Sequence, residues 1–229
     1  MNNKKAISHL ISSKPKLLKY LKGLIKSENF SYINFGTAVE PFVQDKFIEI
    51  FTEGGFIKEK SDYRKAPHKN YFPDFTLLST KPPLAIDIKA GNHSTNSKRG
   101  WVRTNNSEND LGTLNMWPKK LKEFGGDNMF FAFIEYDFTD KKQEIVDVKI
   151  EPFYSFLDLR REGVLKYRLK DGNLRPRNYN TAPKVKTLSQ FSKLLDTTIV
   201  FHRKKSLEKY LNKMPQEERK AFLEDQLKS

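Results

Sequence analysis

Cysteine is absent from all 229 residues, which excludes disulfides and thiolate metal sites and suits a reducing, cytoplasmic setting. Histidine is scarce: His9, His68, His93 and His202 are scattered, with none of the close spacing a zinc site needs. No stretch approaches the ~20 apolar residues of a membrane span. Nor does any segment join a strongly basic face to a strong apolar one, as a membrane-surface helix does. Met1 to Lys26 carries lysine throughout, has no continuous apolar core and shows no small-residue cleavage site, so it does not read as a secretory signal. Internal repeats and low-complexity tracts are also missing. Acids are outnumbered, 28 Asp and Glu against 42 Lys and Arg, which leaves a net charge of +14 and a pI near 9.7. Such a field attracts polyanions, and with no membrane element the expected partner is nucleic acid.

What is present is a globular composition: 37% hydrophobic and 13% aromatic residues, 18 of them Phe. The length suits one domain with a real core, 1–229, carrying helical additions at both ends. Residues 4–27 hold Ile7, Leu10, Ile11, Leu17, Leu18, Leu21, Leu24 and Ile25 at helical spacing, and Pro15 marks a fresh helix start. Such a pair serves either as core or as a dimer contact, and a dimer contact within 1–30 is the expectation. A second helix is expected over 37–53, striped by Val39, Phe42, Val43, Phe47, Ile50 and Phe51 and ended by Gly54-Gly55. A helix over 111–124, a nearly all-apolar strand over 129–137 and another over 141–152 follow. Phe153 to Asp158 reads as a short helix. The segment after 186 reads as charged helices interrupted by a strand-like Thr198–Phe201. The expected fold is α/β, with a central mixed sheet of about five strands between helices.

The informative stretch is a hairpin. Tyr71 to Leu78 and Leu84 to Ala90 are both rich in aromatic and β-branched residues, and Ser79-Thr80-Lys81-Pro82-Pro83 between them is turn chemistry. In the second half Leu84, Ile86 and Ile88 share one face, and Asp87 and Lys89 the other. If Thr76 pairs with Ala85, Asp74 lies opposite Asp87, with Cβ atoms roughly 5 Å apart. Two carboxylates so placed repel unless a cation lies between them. A hard divalent ion such as Mg²⁺, completing its shell with water and phosphate oxygens, resolves the conflict. Lys89 is then placed to orient or deprotonate the attacking water of a phosphodiester hydrolysis. The plainer alternative is that Pro-Asp is turn material and Asp-Ile-Lys an ordinary solvent-facing strand.

Pro73-Asp74 followed by Asp87-Ile88-Lys89 resembles the PD-(D/E)XK nuclease motif. With Tyr71 to Leu77 and Ala85 to Lys89 it is similar, more specifically, to the EcoRV group of type II restriction endonucleases. The likeness reaches upstream to Glu40-Pro41-Phe42 and Gly54-Gly55-Phe56, and downstream to Asp110-Leu111-Gly112, about residues 36–115. It implies a restriction-endonuclease-like core over 36–152. It also implies one or two Mg²⁺ ions held by Asp74, Asp87, the carbonyl of Ile88 and the auxiliary acid Glu40. Pro41 departs from the usual pattern and leaves the direction of Glu40 open, and an acid there can equally complement the helix dipole.

The same resemblance places DNA contacts on the loop before the first catalytic strand, at Lys65, His68, Lys69 and Asn70. The polar stretch after Lys89 offers backbone contacts from Asn92, His93, Ser94, Thr95, Lys98, Arg99 and Arg103. The Asp171-Gly172 turn in the 153–185 region leads into Asn173, Arg175, Arg177 and Asn178, residue types that pair with adenine and guanine edges. His202-Arg203-Lys204-Lys205 in the C-terminal helices, 186–229, is either a DNA-backbone contact or a solvated charge run. The leading expectation is a Mg²⁺-dependent type II restriction endonuclease, a homodimer that cuts a palindrome in double-stranded DNA to leave 5′-phosphate, blunt ends. The alternatives are a structure-directed repair or recombination nuclease of the same superfamily, and a non-catalytic DNA-binding protein.

Overall fold

Five strands form one mixed sheet, and helices pack on both its faces. The computed structural model describes residues 2–30, 35–68, 71–92, 95–96, 101–102, 110–139, 142–177 and 181–226. In chain order the elements are α1 (Asn3–Ser12), α2 (Lys14–Ser27), α3 (Phe35–Glu53), β1 (Tyr63–Lys65), β2 (Phe75–Leu77), β3 (Leu84–Asn92), β4 (Thr95–Asn96) and β5 (Trp101–Val102). There follow α4 (Trp117–Phe124), β6 (Met129–Thr139), β7 (Lys142–Pro152), α5 (Leu188–Leu211) and α6 (Gln216–Gln226). The sheet order is β1-β2-β3-β6-β7, antiparallel at every pairing except β3 with β6. That parallel pair needs a crossover, and α4 lies in it.

Alternation along the strands divides the core in two. Leu84, Ile86 and Ile88 of β3, with Ala132 and Ile134 of β6 and Val148 and Ile150 of β7, pack against α1, α2 and α3. Met129, Phe131 and Phe133 face the opposite side, where Trp117 and Phe124 of α4, Phe153, Phe156, and Phe191 of α5 meet them. Covered on both faces, β6 reads as a continuous apolar run. Its buried acid, Glu135, is ion-paired with Lys149 on β7. Asp87 and Lys89 share the second face, so the chemistry-bearing side of β3 looks towards α4.

Of the apolar residues of α1 and α2, Ala6, Leu10, Leu17, Leu21, Leu24 and Ile25 lie in the first core, Ile7 and Leu18 pack partly against it, and Ile11 is exposed. Helix α3 runs through Pro41, which has no N–H to give to the preceding turn. Three expected elements differ. The strand expected over 71–78 joins the ladder only at 75–77. Pro73 cannot donate, and the Asp74 carbonyl instead accepts from the Ala66 N–H at 2.8 Å and the Gln44 amide at 3.0 Å. The helix expected from 111 starts at Trp117. Before it, Gly112 takes a positive φ of 95°, and 111–114 hydrogen-bonds to 172–174. Thr198–Phe201 is no strand but the middle of α5. Phe191, Leu195 and Thr198 fall at helical spacing on the buried face, and the Thr198 hydroxyl donates to the Leu194 carbonyl at 2.5 Å. Tertiary packing there overrides the β-branched preference. No helix among the described residues is long and apolar enough to cross a membrane.

Candidate active site

The hairpin register is the one the turn length implies. Thr76 pairs with Ala85 and Phe75 with Ile86, which sets Asp74 at the mouth of the ladder beside Asp87. Both carboxylates are nearly buried, at 4% and 5% exposure. Oδ2 of Asp74 accepts the Ile88 backbone N–H at 2.6 Å, and Oδ2 of Asp87 lies 2.5 Å from Nζ of Lys89. Glu40 comes from α3, half-buried, and its Oε1 accepts from Gln44 Nε2 at 3.3 Å while the same amide donates to the Asp74 carbonyl. One glutamine thus ties Glu40 to the turn that carries Asp74.

Electrostatics report the crowding. Burial first, then the charges of Asp87 and Glu40, pushes the Asp74 carboxyl up to about 8, against the opposing pull of Lys89 and the Ile88 N–H. Glu40 is raised by burial and by Asp87, with Lys89 opposing. Burial pulls the Lys89 ammonium down, but Asp87, Asp74 and Glu40 together hold it above its ordinary value. Three acids around one lysine would carry surplus negative charge once Asp74 ionises, and a divalent cation would offset it. The donors are hard oxygens, so Mg²⁺ fits Asp74 and Asp87, with Glu40 at the edge. No set of three His, Asp or Glu side chains among the described residues is disposed to cage an ion unaided. An ion held here would have to complete its shell with water or other oxygens, the usual habit of Mg²⁺.

Asp74, Asp87 and Lys89 line a cavity of about 800 Å³. Its walls are Tyr71 and Phe72 from the turn before Asp74, Asp110 to Thr113, Met116, Lys119, Lys120 and Glu123 of the α4 region, and Asn173. The predicted DNA contacts divide around it. Asn173 reaches the cavity. Arg175 is ion-paired with Asp110, at 2.5 Å, on the cavity rim. Arg177 is 3% exposed and turned inward, donating to the carbonyl of Ser155 at 2.7 Å and to that of Thr181, with Glu151 at 3.5 Å. It serves the fold. Lys65 is ion-paired with Asp45, and His68 is exposed with its ring edge-on to Tyr71 at 5.8 Å. Asn92 ends β3 opposite Tyr136, and Thr95 pairs with Val102 in the small β4–β5 ladder. Lys69, Asn70, His93, Ser94, Lys98, Arg99, Arg103 and Asn178 lie outside the described residues.

Lys120 was missed in the sequence. The signal was there: Trp117, Leu121 and Phe124 form the inward stripe of α4, and Lys120 stands at the same helical face, where an apolar residue is expected.

No protein-family model and no curated protein matches the sequence. Among solved structures, the chain is similar to the NlaIV restriction endonuclease, with a TM-score of 0.51 and 14% identity over 71% of this chain. The match spans 65% of that enzyme's length. The five-stranded mixed sheet with its flanking helices is therefore a restriction-endonuclease-like fold.

Proposed function

We propose that the chain is a Mg²⁺-dependent type II restriction endonuclease that cuts double-stranded DNA at a palindromic site. The observation that carries this reading is the convergence of Asp74, Asp87 and Lys89, with Glu40 beside them, on one open cavity of a restriction-endonuclease-like fold. The net charge of +14 supplies the attraction for a phosphate backbone.

Asp74 and Asp87 would hold the metal, with the carbonyl of Ile88 and the carboxylate of Glu40 as further oxygens. When bound, Mg²⁺ supplies charge neutralisation at the phosphodiester and a lowered pKa for the attacking water. Lys89, kept charged by Asp87 and Asp74, acts as a hydrogen-bond donor. It orients the water for in-line attack and faces the charge that grows on the phosphate oxygens. The Gln44 amide holds the Asp74 turn and Glu40 in register. The PD-(D/E)XK resemblance favours a product with 5′-phosphate ends, and its EcoRV-group part favours a blunt cut. A homodimer follows from a palindromic site, whose two-fold axis a symmetric pair of protomers matches.

The test is digestion of a sequenced phage genome with the purified protein, in Mg²⁺, in EDTA, and with Asp87→Ala. Discrete fragments in Mg²⁺ alone support the proposal, and their ends give the site and the cut. Intact DNA throughout overturns it in favour of a non-catalytic DNA-binding protein. Diffuse degradation points instead to a nuclease that reads DNA structure.

A further inference from the structure

Among the described residues, Lys120 is an ammonium without an anion. Its Nζ lies 3.6 Å from the centroid of the Phe72 ring and 4.8 Å from that of Trp117. Among the described residues it has no hydrogen-bond or ion-pair partner, although Asp74 and Asp87 are near enough to act on its charge. Both acids are already engaged, Asp87 by Lys89 and Asp74 by the Ile88 N–H. Burial outweighs their attraction and pushes the Lys120 ammonium down to about 8. Cation–π contact contributes roughly 0.5–2 kcal/mol and offsets part of that burial. It does not explain why a lysine stands on the inward stripe of α4.

Its surroundings make room for it. Gly112, at φ 95°, comes so close that a Cβ there would lie 3.0 Å from Nζ. The two rings and this glycine hold the ammonium at the wall of the cavity whose acidic floor carries Lys89. The space between the two lysines is a place for a mobile anion, and the phosphate of a DNA strand lying across Asp74 and Asp87 is such an anion.

We propose that Lys120 binds the phosphodiester group being cleaved, as a second cationic contact supplied by the wall of the site opposite the Asp87–Lys89 strand. This rests on the phosphodiesterase reading above, and the two can fail separately. The ammonium donates hydrogen bonds to a phosphate oxygen and gains strength as charge builds there.

Two measurements test it. First, single-turnover cleavage is compared for the wild type, Lys120→Met and Lys120→Arg. Methionine keeps the stem packed on Phe72 and Trp117 and removes only the charge. A fall of about 10²-fold in rate, with DNA affinity changed by less than about tenfold and partial recovery in Lys120→Arg, is expected. Wild-type cleavage by Lys120→Met overturns the inference and leaves the nuclease reading standing. Second, lysine acylation is mapped by mass spectrometry without metal, with and without a short mixed-sequence duplex. Lys120 is expected to be protected by the duplex, whereas Lys22, on the exposed side of α2, is not. Equal labelling of Lys120 in both conditions overturns the inference, even if the wild type cuts nothing and the nuclease reading has itself failed.

Discussion

Asp74 accepts the backbone N–H of Ile88 through Oδ2 at 2.6 Å, so the acid that ends the turn before β2 is pinned to the strand that carries Asp87. This bond fixes the separation of the two carboxylates without any cation. It also holds two carboxyl groups together in a nearly dry place, a stress that protonation of Asp74 relieves below about pH 8.

That stress has a pH signature. The folded-state pKa of Asp74 is pushed up from its ordinary 3.8 to about 8. Between those values the folded chain holds a proton that the unfolded chain has lost, so stability falls as pH rises through the window and levels off above about 8. Urea unfolding of metal-free protein across that range is expected to show the decline. Asp74→Asn keeps an oxygen for the Ile88 N–H and removes the charge, so its curve should be flatter. Mg²⁺ should restore stability to the wild type near pH 8, because a ligand that binds only the folded state stabilises it. A wild-type curve no steeper than that of Asp74→Asn would count against the crowded-carboxylate geometry.

Asp87→Ala should abolish cutting, by about two to four orders of magnitude or more, while duplex binding persists. Glu40→Gln should cost less, since Glu40 sits at the edge and keeps its contact with Gln44 as an amide. Gel-shift and cleavage assays on the same preparations check both. Equal loss in the two variants would promote Glu40 to a full metal ligand.

Affinity for duplex should drop steeply with salt. Each neutralised phosphate contributes a slope of about 0.9 in log K against log salt. Titration over a range of NaCl concentrations measures it, and a flat response would remove the backbone-contact role from the basic surface.

Arg177 and Asn173 lie four residues apart in one loop and should behave oppositely. Arg177→Ala removes a buried guanidinium from the carbonyls of Ser155 and Thr181 and from Glu151, and should destabilise the fold by about 1–3 kcal/mol. Asn173→Ala, at the cavity wall, should leave the urea midpoint near wild type and alter cleavage or site choice. Swapped outcomes would reassign the loop.

The β2–β3 hairpin was legible because its cues are local: alternation in Leu84 to Ala90, a turn rich in proline, and two acids whose spacing around that turn fixes their register. The helices were legible wherever an apolar stripe kept its period. What sequence could not give was set by distant partners. Thr198 to Phe201 looks like strand until Leu165 is seen donating its N–H to the Thr198 hydroxyl at 2.9 Å and the helix is seen continuing through. Arg177 looks like a base reader until the Ser155 and Thr181 carbonyls close around it. Lys120 is one of several lysines in α4: its place on the apolar stripe sets it apart in the sequence, but only the fold shows its ammonium over Phe72 and Trp117 at the cavity wall.

Gly112 joins these threads. Its φ of 95° is strained for any side chain, and its carbonyl accepts the Leu174 N–H at 2.9 Å, which locks the Asn173 loop to the site wall. Gly112→Ala should cost about 1–3 kcal/mol of stability from backbone strain. It should also lower cleavage, because the new methyl meets the Lys120 ammonium at 3.0 Å and Trp117 Nε1 at 3.5 Å. Gly125 provides the control: its φ is 67°, it ends α4 away from the cavity, and an added Cβ meets only the Asn128 amide, at 3.3 Å. Gly125→Ala carries comparable backbone strain without touching Lys120. Denaturation midpoints should therefore fall in both variants, and single-turnover rates, measured where both remain folded, should fall only in Gly112→Ala. Equal rates would mean that the ammonium can be displaced without consequence, and that the wall around Gly112 shapes the fold and not the reaction.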